Sequence, residues 1–183
     1  MMWTIPGTIL HADRREAEQI PQKLEALFFG GGITLSQVTA ITGLEAHTVQ
    51  NWVKRGFLTS PVGKRYTLRQ LCRILNINVL RYTMPIERIC HLLSYVNGDL
   101  DDESDDMIDD SVLYFMFAKL AARMKELHDP ANVEDLLSGY LDDYQEPMPG
   151  AKERVRQVLR IMLTAYLAAR MMQETEKMLN ELQ

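Results

Sequence analysis

Apolar side chains recur at helical spacing along most of this chain. Leu35, Val38 and Ile41 fall one turn apart, and Thr34 and Gln37 stand where the two halves of a capping box belong. The pattern predicts a short helix over 34–42. Thr42-Gly43-Leu44 makes a turn, and Glu45 to Arg55 forms a second helix closed by Gly56. Residues 57–66 break the period. Ser60-Pro61 and Gly63 lie between Phe57-Leu58 and Arg65-Tyr66, which reads as a short β-hairpin. Thr67 and Gln70 open a third capped helix that runs to about Tyr82. Pro85 takes the first position of a fourth, ending near Asn97-Gly98.

The flanks are also helical in pattern. Asp13 to Phe29 predicts one or two helices, opened by an Asp13–Glu16 capping box, interrupted or restarted at Pro21 and stopped by Gly30-Gly31-Gly32. After Gly98 an acidic run, Asp99 to Asp106, reads as a mobile linker. Three helical patterns come next, at about 109–128, 132–144 and 151–182. Asp129-Pro130 and Pro147-Met148-Pro149-Gly150 separate them. In the last, Val155, Val158, Met162, Ala165, Ala169 and Met172 form a coiled-coil-like seam, and Ile161–Ala169 is apolar nearly all round, which predicts burial on more than one side. The expected organisation is a helical lead (1–32), a head (33–97), an acidic linker (98–108) and an all-α tail (109–183).

Composition places the chain among ordinary globular proteins. Of 183 residues, 46% are hydrophobic and 25% charged, close to the averages that support a packed core. The longest apolar stretch, Val112–Ala118, is far short of a membrane span, and the N-terminus lacks a basic-then-apolar leader. Two cysteines make no disulfide framework. The expectation is a cytoplasmic protein with no membrane partner.

Charge changes the picture. The net charge of −5 conceals a polarity: residues 34–96 hold eight Lys/Arg against Glu45 and Glu87, a net +6, whereas residues 97–183 net −10. Such asymmetry suggests that one segment faces a polyanion.

The second helix sharpens that suggestion. At 100° per residue, Gln50, Asn51 and Lys54 lie within about 60° of His47, while Val49, Trp52 and Val53 lie opposite. One face packs and the other presents hydrogen-bond donors and a positive charge. Gln and Asn can bond adenine edges, and Lys and Arg can bond guanine or phosphate. Val38, Leu44, Val49 and Trp52 fall where the two helices of a helix-turn-helix pack together. An ordinary amphipathic helix with a solvated polar face fits the same pattern.

The residues after this helix carry a resemblance. Gly56-Phe57-Leu58, Pro61, Gly63-Lys64-Arg65-Tyr66-Thr67 and Leu71, with Met84-Pro85-Ile86-Glu87-Arg88-Ile89 further on, are similar to the MerR-type winged helix-turn-helix over about residues 33–97. The whole layout also resembles a bacterial family, mostly Gram-positive, defined by the domain of unknown function DUF1836. The fold class implied is mainly α: a MerR-like winged helix-turn-helix with a small β-hairpin wing, plus an all-α C-terminal helical domain. The resemblance implies a transcriptional regulator that binds double-stranded DNA as a homodimer. Its second helix, carrying Thr48, Gln50, Asn51, Lys54 and Arg55, would enter the major groove, and Lys64 and Arg65 would form the wing contacts. Thr34 and His47 complete the candidate set. The chain departs from the MerR pattern in having Gln50-Asn51-Trp52 where that family commonly has Arg-Tyr-Tyr, and in placing the acidic run where a long dimer helix normally begins. Operator sequence and dimer geometry therefore do not carry over.

Catalytic and metal chemistry is not readable. His11, His47, His91 and His128 are scattered, and Cys72 and Cys90 sit among apolar neighbours as core thiols. Asp99, Asp101 and Glu103 alternate like calcium-loop ligands, but Ser104 stands where such a loop needs glycine. No cofactor and no enzyme activity are expected. The tail leaves room for an unidentified small-molecule or protein effector. The alternatives are a protein-interaction module built on a relic head, which accounts better for the acidic half, and an architectural DNA-binding protein.

Overall fold

A computed structural model describes residues 2–124 and 131–182. The chain opens not with a helix but with an antiparallel hairpin, β1 (Met2–Thr4) and β2 (His11–Asp13), in which Trp3 pairs with Ala12. Trp3 and Ala12 point inward and their neighbours outward, the period-two pattern of a strand, and the helical segment follows from the Asp13 cap, where the sequence places it. Asp13 does cap the next segment, accepting from the Arg15 backbone N–H at 2.9 Å. The reciprocal half of the expected capping box is missing, because the Glu16 carboxylate is held by Lys23 at 2.6 Å. The first turns, Arg14–Gln19, are 3₁₀, and α1 (Ile20–Glu25) restarts around Pro21.

Next come β3 (Ile33–Thr34), α2 (Leu35–Thr42), α3 (Ala46–Lys54), β4 (Arg65–Tyr66), α4 (Leu68–Leu80) and α5 (Ile86–Asn97). Both capping boxes read from the sequence form in full, Thr34 with Gln37 and Thr67 with Gln70. The hairpin at 57–66 does not form as expected. β4 pairs with β3, Ile33 against Tyr66, and no strand precedes it within 57–61. The reason is chemical. The Gln70 side chain donates to the carbonyls of Thr59 and Ser60, both at 3.1 Å, and Pro61 has no N–H to offer a ladder. What survives is a tip: Val62 bridges Arg65 around Gly63 and Lys64, both at positive φ (57° and 63°), as a two-residue type I′ turn requires.

The tail comprises α6 (Asp110–Arg123), α7 (Ala131–Leu137) and α8 (Ala151–Asn180). The 132–144 pattern is helical only in its first half. The expected last turn of the 109–128 helix, the Asp129-Pro130 break and His128 lie partly or wholly outside the described residues.

Helix α4 is the spine of the molecule. Every residue from Gln70 to Leu80 is buried, with α6, α5, α8 and α2 packed around it. One continuous apolar cluster extends from Trp3 to Leu167, so the segments read as head and tail share a core. The acidic stretch between them is fastened at its far end. Arg69 on α4 pairs with Asp106 at 2.8 Å, the Met107 N–H donates to the Val96 carbonyl at 2.8 Å, and Ile108 is buried.

In α8 the seam Val155–Ala169 faces this core, but Met172 does not, and Ile161 and Ala168 are exposed. The apolar middle is therefore buried on one side only. The open side carries Ile161, Thr164, Ala168, Met171, Thr175 and Met178, with Leu182 just past the helix end, all exposed and spaced in alternating steps of three and four. Among the described residues no helix is long and apolar enough to cross a membrane.

Candidate nucleic-acid interface

The geometry of α2 and α3 starts from Gly43. Its φ of 70° ends α2, and its N–H closes on the Thr39 carbonyl at 2.9 Å. A Cβ here would sit 2.6 Å from the Ile9 side chain, so both conformation and space call for glycine. Leu44 is buried, Glu45 is the N-cap of α3, and the second helix leaves at the angle this three-residue turn sets. Val38, Leu44, Val49 and Trp52 are all buried, in agreement with the packing positions read from the sequence.

Helix α3 is divided as its periodicity predicts. Val49 and Trp52 enter the core, Val53 is half-buried, and His47, Gln50, Asn51 and Lys54 are exposed. Thr48 is half-buried at the edge. The tail helices pack on α4 and α5, leaving the polar face of α3 open.

The remaining candidates are placed differently. Thr34 is exposed, but its hydroxyl is engaged in the cap of α2, accepting from the Gln37 N–H at 3.3 Å. Arg55 follows α3 and is held by Glu87 of α5 at 2.6 Å, with its guanidinium 4.5 Å over the Phe57 ring. A backbone N–H, with that same guanidinium, holds the Glu87 carboxyl below its usual range. Arg55 thus links α3 to α5. Arg65 donates to the Gly32 carbonyl at 2.9 Å, which fixes the stem of the tip. Lys64 is at the apex, exposed, beside Val62 at 84% exposure.

The acidic half draws on the basic segment. Besides Arg69, Arg73 is removed from the surface by Asp110. Neither engagement is visible in the local sequence, since the partners lie 37 residues apart or more. The exposed cations left on the head include Lys54 and Lys64.

The two cysteines differ: Cys72 is fully buried and Cys90 half-buried, and burial pushes both thiols up. Among the described residues no three His, Cys, Asp or Glu side chains gather as a metal site.

The chain is 23% identical to the uncharacterized protein YkrK of Bacillus subtilis (strain 168) over 158 residues, covering 80% of this chain and 68% of that protein. No solved structure matches it significantly. A family model, the domain of unknown function DUF1836, matches residues 31–117. That span takes in α2 to α5 and the first two turns of α6, the helix that covers α4.

Proposed function

We propose that this protein is a sequence-reading DNA-binding regulator, with α2 and α3 acting as a MerR-like helix-turn-helix and the tip at 62–65 as a reduced wing. The observation that carries this reading is the division of α3. Its apolar face is anchored by Val49 and Trp52, while His47, Gln50, Asn51 and Lys54 stand open to solvent. A helix held this way presents side chains that can reach base edges in the major groove. Lys64, at the apex of a tight turn, supplies a phosphate contact that positions without specifying.

The exposed stripe of α8 gives the proposed homodimer its contact. Ile161, Ala168, Met171 and Met178 occupy a and d positions along α8, with Leu182 just past its end, the spacing at which two helices interlock. A two-fold pair of heads would read half-sites about 34–36 Å apart or multiples of that distance.

The test is retention of a randomised duplex pool by the purified chain at two salt concentrations, followed by sequencing. Enrichment of a two-fold motif, with affinity falling steeply as salt rises, is the expected result. Salt-sensitive retention without enrichment would replace this reading with an architectural one. No retention at low salt would leave the protein-interaction module.

A further inference from the structure

A cavity of about 510 Å³ lies where the β1–β2 hairpin, the turn between α2 and α3, the end of α4 and the middle of α8 meet. Its size is within the range that holds organic ligands. Its lining carries three arginines, Arg14, Arg81 and Arg170, and no aspartate or glutamate, in a protein whose net charge is −5. Each guanidinium stacks on an aromatic ring: Arg14 on Trp3 at 5.6 Å, Arg81 on Tyr82 at 5.3 Å and Arg170 on Tyr166 at 5.8 Å. Arg14 also donates to the Met124 carbonyl at 2.9 Å, which holds it in place without neutralising it. Among the described residues none of the three forms an ion pair, although cations elsewhere, such as Arg69 and Arg73, are matched with carboxylates.

Three of the lining residues also keep a buried polar atom without a partner. Trp3 Nε1, Arg14 Nε and Asn78 Oδ1 are buried and make no hydrogen bond. Trp3 and Asn78 are each only 6% exposed as whole residues. A buried donor left unmatched costs free energy, and native proteins keep few of them. Trp3 Nε1 and Arg14 Nε are such donors. The three guanidiniums, with no carboxylate among the lining residues, make a site short of acceptors. Apolar lining from Ile5, Val79 and Ala169 offers a surface for an uncharged body.

We infer that this cavity binds a small molecule bearing two or more negative charges, as phosphate or carboxylate groups, gripped by Arg14, Arg81 and Arg170. Guanidinium forks match both groups bidentately, which is why the chemistry rather than one compound is specified.

The position suggests what such a ligand would do. The hairpin loop is bonded to three helices: the Ile9 N–H donates to the Ile41 carbonyl at 2.9 Å, Asn78 Nδ2 donates to the carbonyls of Gly7 and Thr42 at 2.8 and 3.2 Å, and the Tyr114 hydroxyl donates to the Pro6 carbonyl at 2.8 Å. A ligand drawing Arg81 and Arg170 together would bear on Thr42 and Gly43, which set the exit of α3. Its role as an effector rests on the DNA-binding reading; its binding does not.

The experiment is calorimetric titration of the full chain with inorganic pyrophosphate and with citrate, at constant ionic strength set by chloride. Wild type is expected to bind at least one with a saturable 1:1 isotherm. Arg81→Gln and Arg170→Gln, at positions with no structural ion pair, are expected to weaken it at least tenfold each while leaving the thermal midpoint of the free protein unchanged. Equal affinity in the Arg81→Gln/Arg170→Gln double variant, or heats for both probes no greater than chloride gives, would overturn the site. Loss of random-duplex affinity in the Arg81→Gln/Arg170→Gln double variant with no probe present would overturn it too, by making these arginines part of a nucleic-acid surface. Calorimetry needs no DNA, so its outcome is independent of the pool selection. Binding that then shifts duplex affinity shows the effector role.

Discussion

Arg73 of α4 and Asp110, the first residue of α6, are paired at 3.3 Å with side-chain exposures of 4% and 0%. Arg73 Nε also donates to the Phe57 carbonyl at 3.1 Å, so a single side chain joins the loop after α3, the central helix and the first helix of the tail. Burial pushes the Asp110 carboxyl up, and the Arg73 and Arg69 charges draw it back. Removing one member leaves a buried charge unmatched. Arg73→Leu is expected to cost about 3–5 kcal/mol, while Arg73→Leu/Asp110→Leu recovers part of that loss. Urea unfolding of both variants checks this; a double variant no more stable than the single one contradicts it.

Glu18 predicts a pH dependence of known sign. Its carboxylate accepts from Lys119 at 2.9 Å and Arg123 at 3.1 Å, and these cations hold it below its ordinary value of 4.5. A carboxyl with a depressed folded pKa adds stability that is present above the unfolded pKa and lost as pH falls through the folded one. Glu18 is 60% exposed, so solvent screening limits the effect to less than about 1 kcal/mol. Glu18→Gln is therefore expected to be slightly less stable than wild type at pH 7 and indistinguishable near the acid end. A difference that grows on acidification would contradict this.

Gly43 should resist substitution. Alanine there takes a left-handed backbone at about 1–2 kcal/mol and meets the Ile9 side chain as well. Gly43→Ala is expected to lower the thermal midpoint more than Gly30→Ala, where nothing lies within 4 Å and φ is not positive. Equal shifts would show that the α2–α3 turn tolerates the change.

In duplex binding, Lys64→Ala and Asn51→Ala should fail differently. Loss of the Lys64 charge is expected to weaken all sequences alike and to reduce the salt slope by about one. Asn51→Ala is expected to cost about 1–3 kcal/mol on the preferred site and to relax discrimination at one base position. Equal losses on specific and random duplexes for both variants would remove these roles.

The α8 stripe predicts a dimer by sedimentation. Met171→Glu and Leu182→Glu alter exposed positions, so the monomer fold is expected to survive while the dimer dissociates. A wild type that sediments as a monomer would remove the contact.

Much of the head is legible in the sequence because its signals are local. A capping box spans four residues, Gly43 announces a turn, and the two faces of α3 follow from a 100° step. The β1–β2 hairpin is not legible, since three-residue strands provide a single alternation. The pairing of β4 with β3 is hidden because Gln70, a cap residue by its spacing, also occupies the carbonyls of Thr59 and Ser60. In α8 the expected seam is real but turned inward, and the pattern does not say which apolar stripe meets the core. Arg14, Arg81 and Arg170 come from three separate elements, so no spacing rule unites them.

The enclosure of α4 bears on how a signal could travel. A reading head on a flexible stalk can be excised intact or swung on a hinge. Here a cut at residue 98 would bare the spine helix that α6 and α8 cover, and leave Arg73 facing solvent without its carboxylate. An autonomous piece of this protein therefore needs α6 and α8 as well as the head. Any coupling between α8 and α3 would pass by sliding or tilting of packed helices, the shear mode, because both contribute to one core around α4.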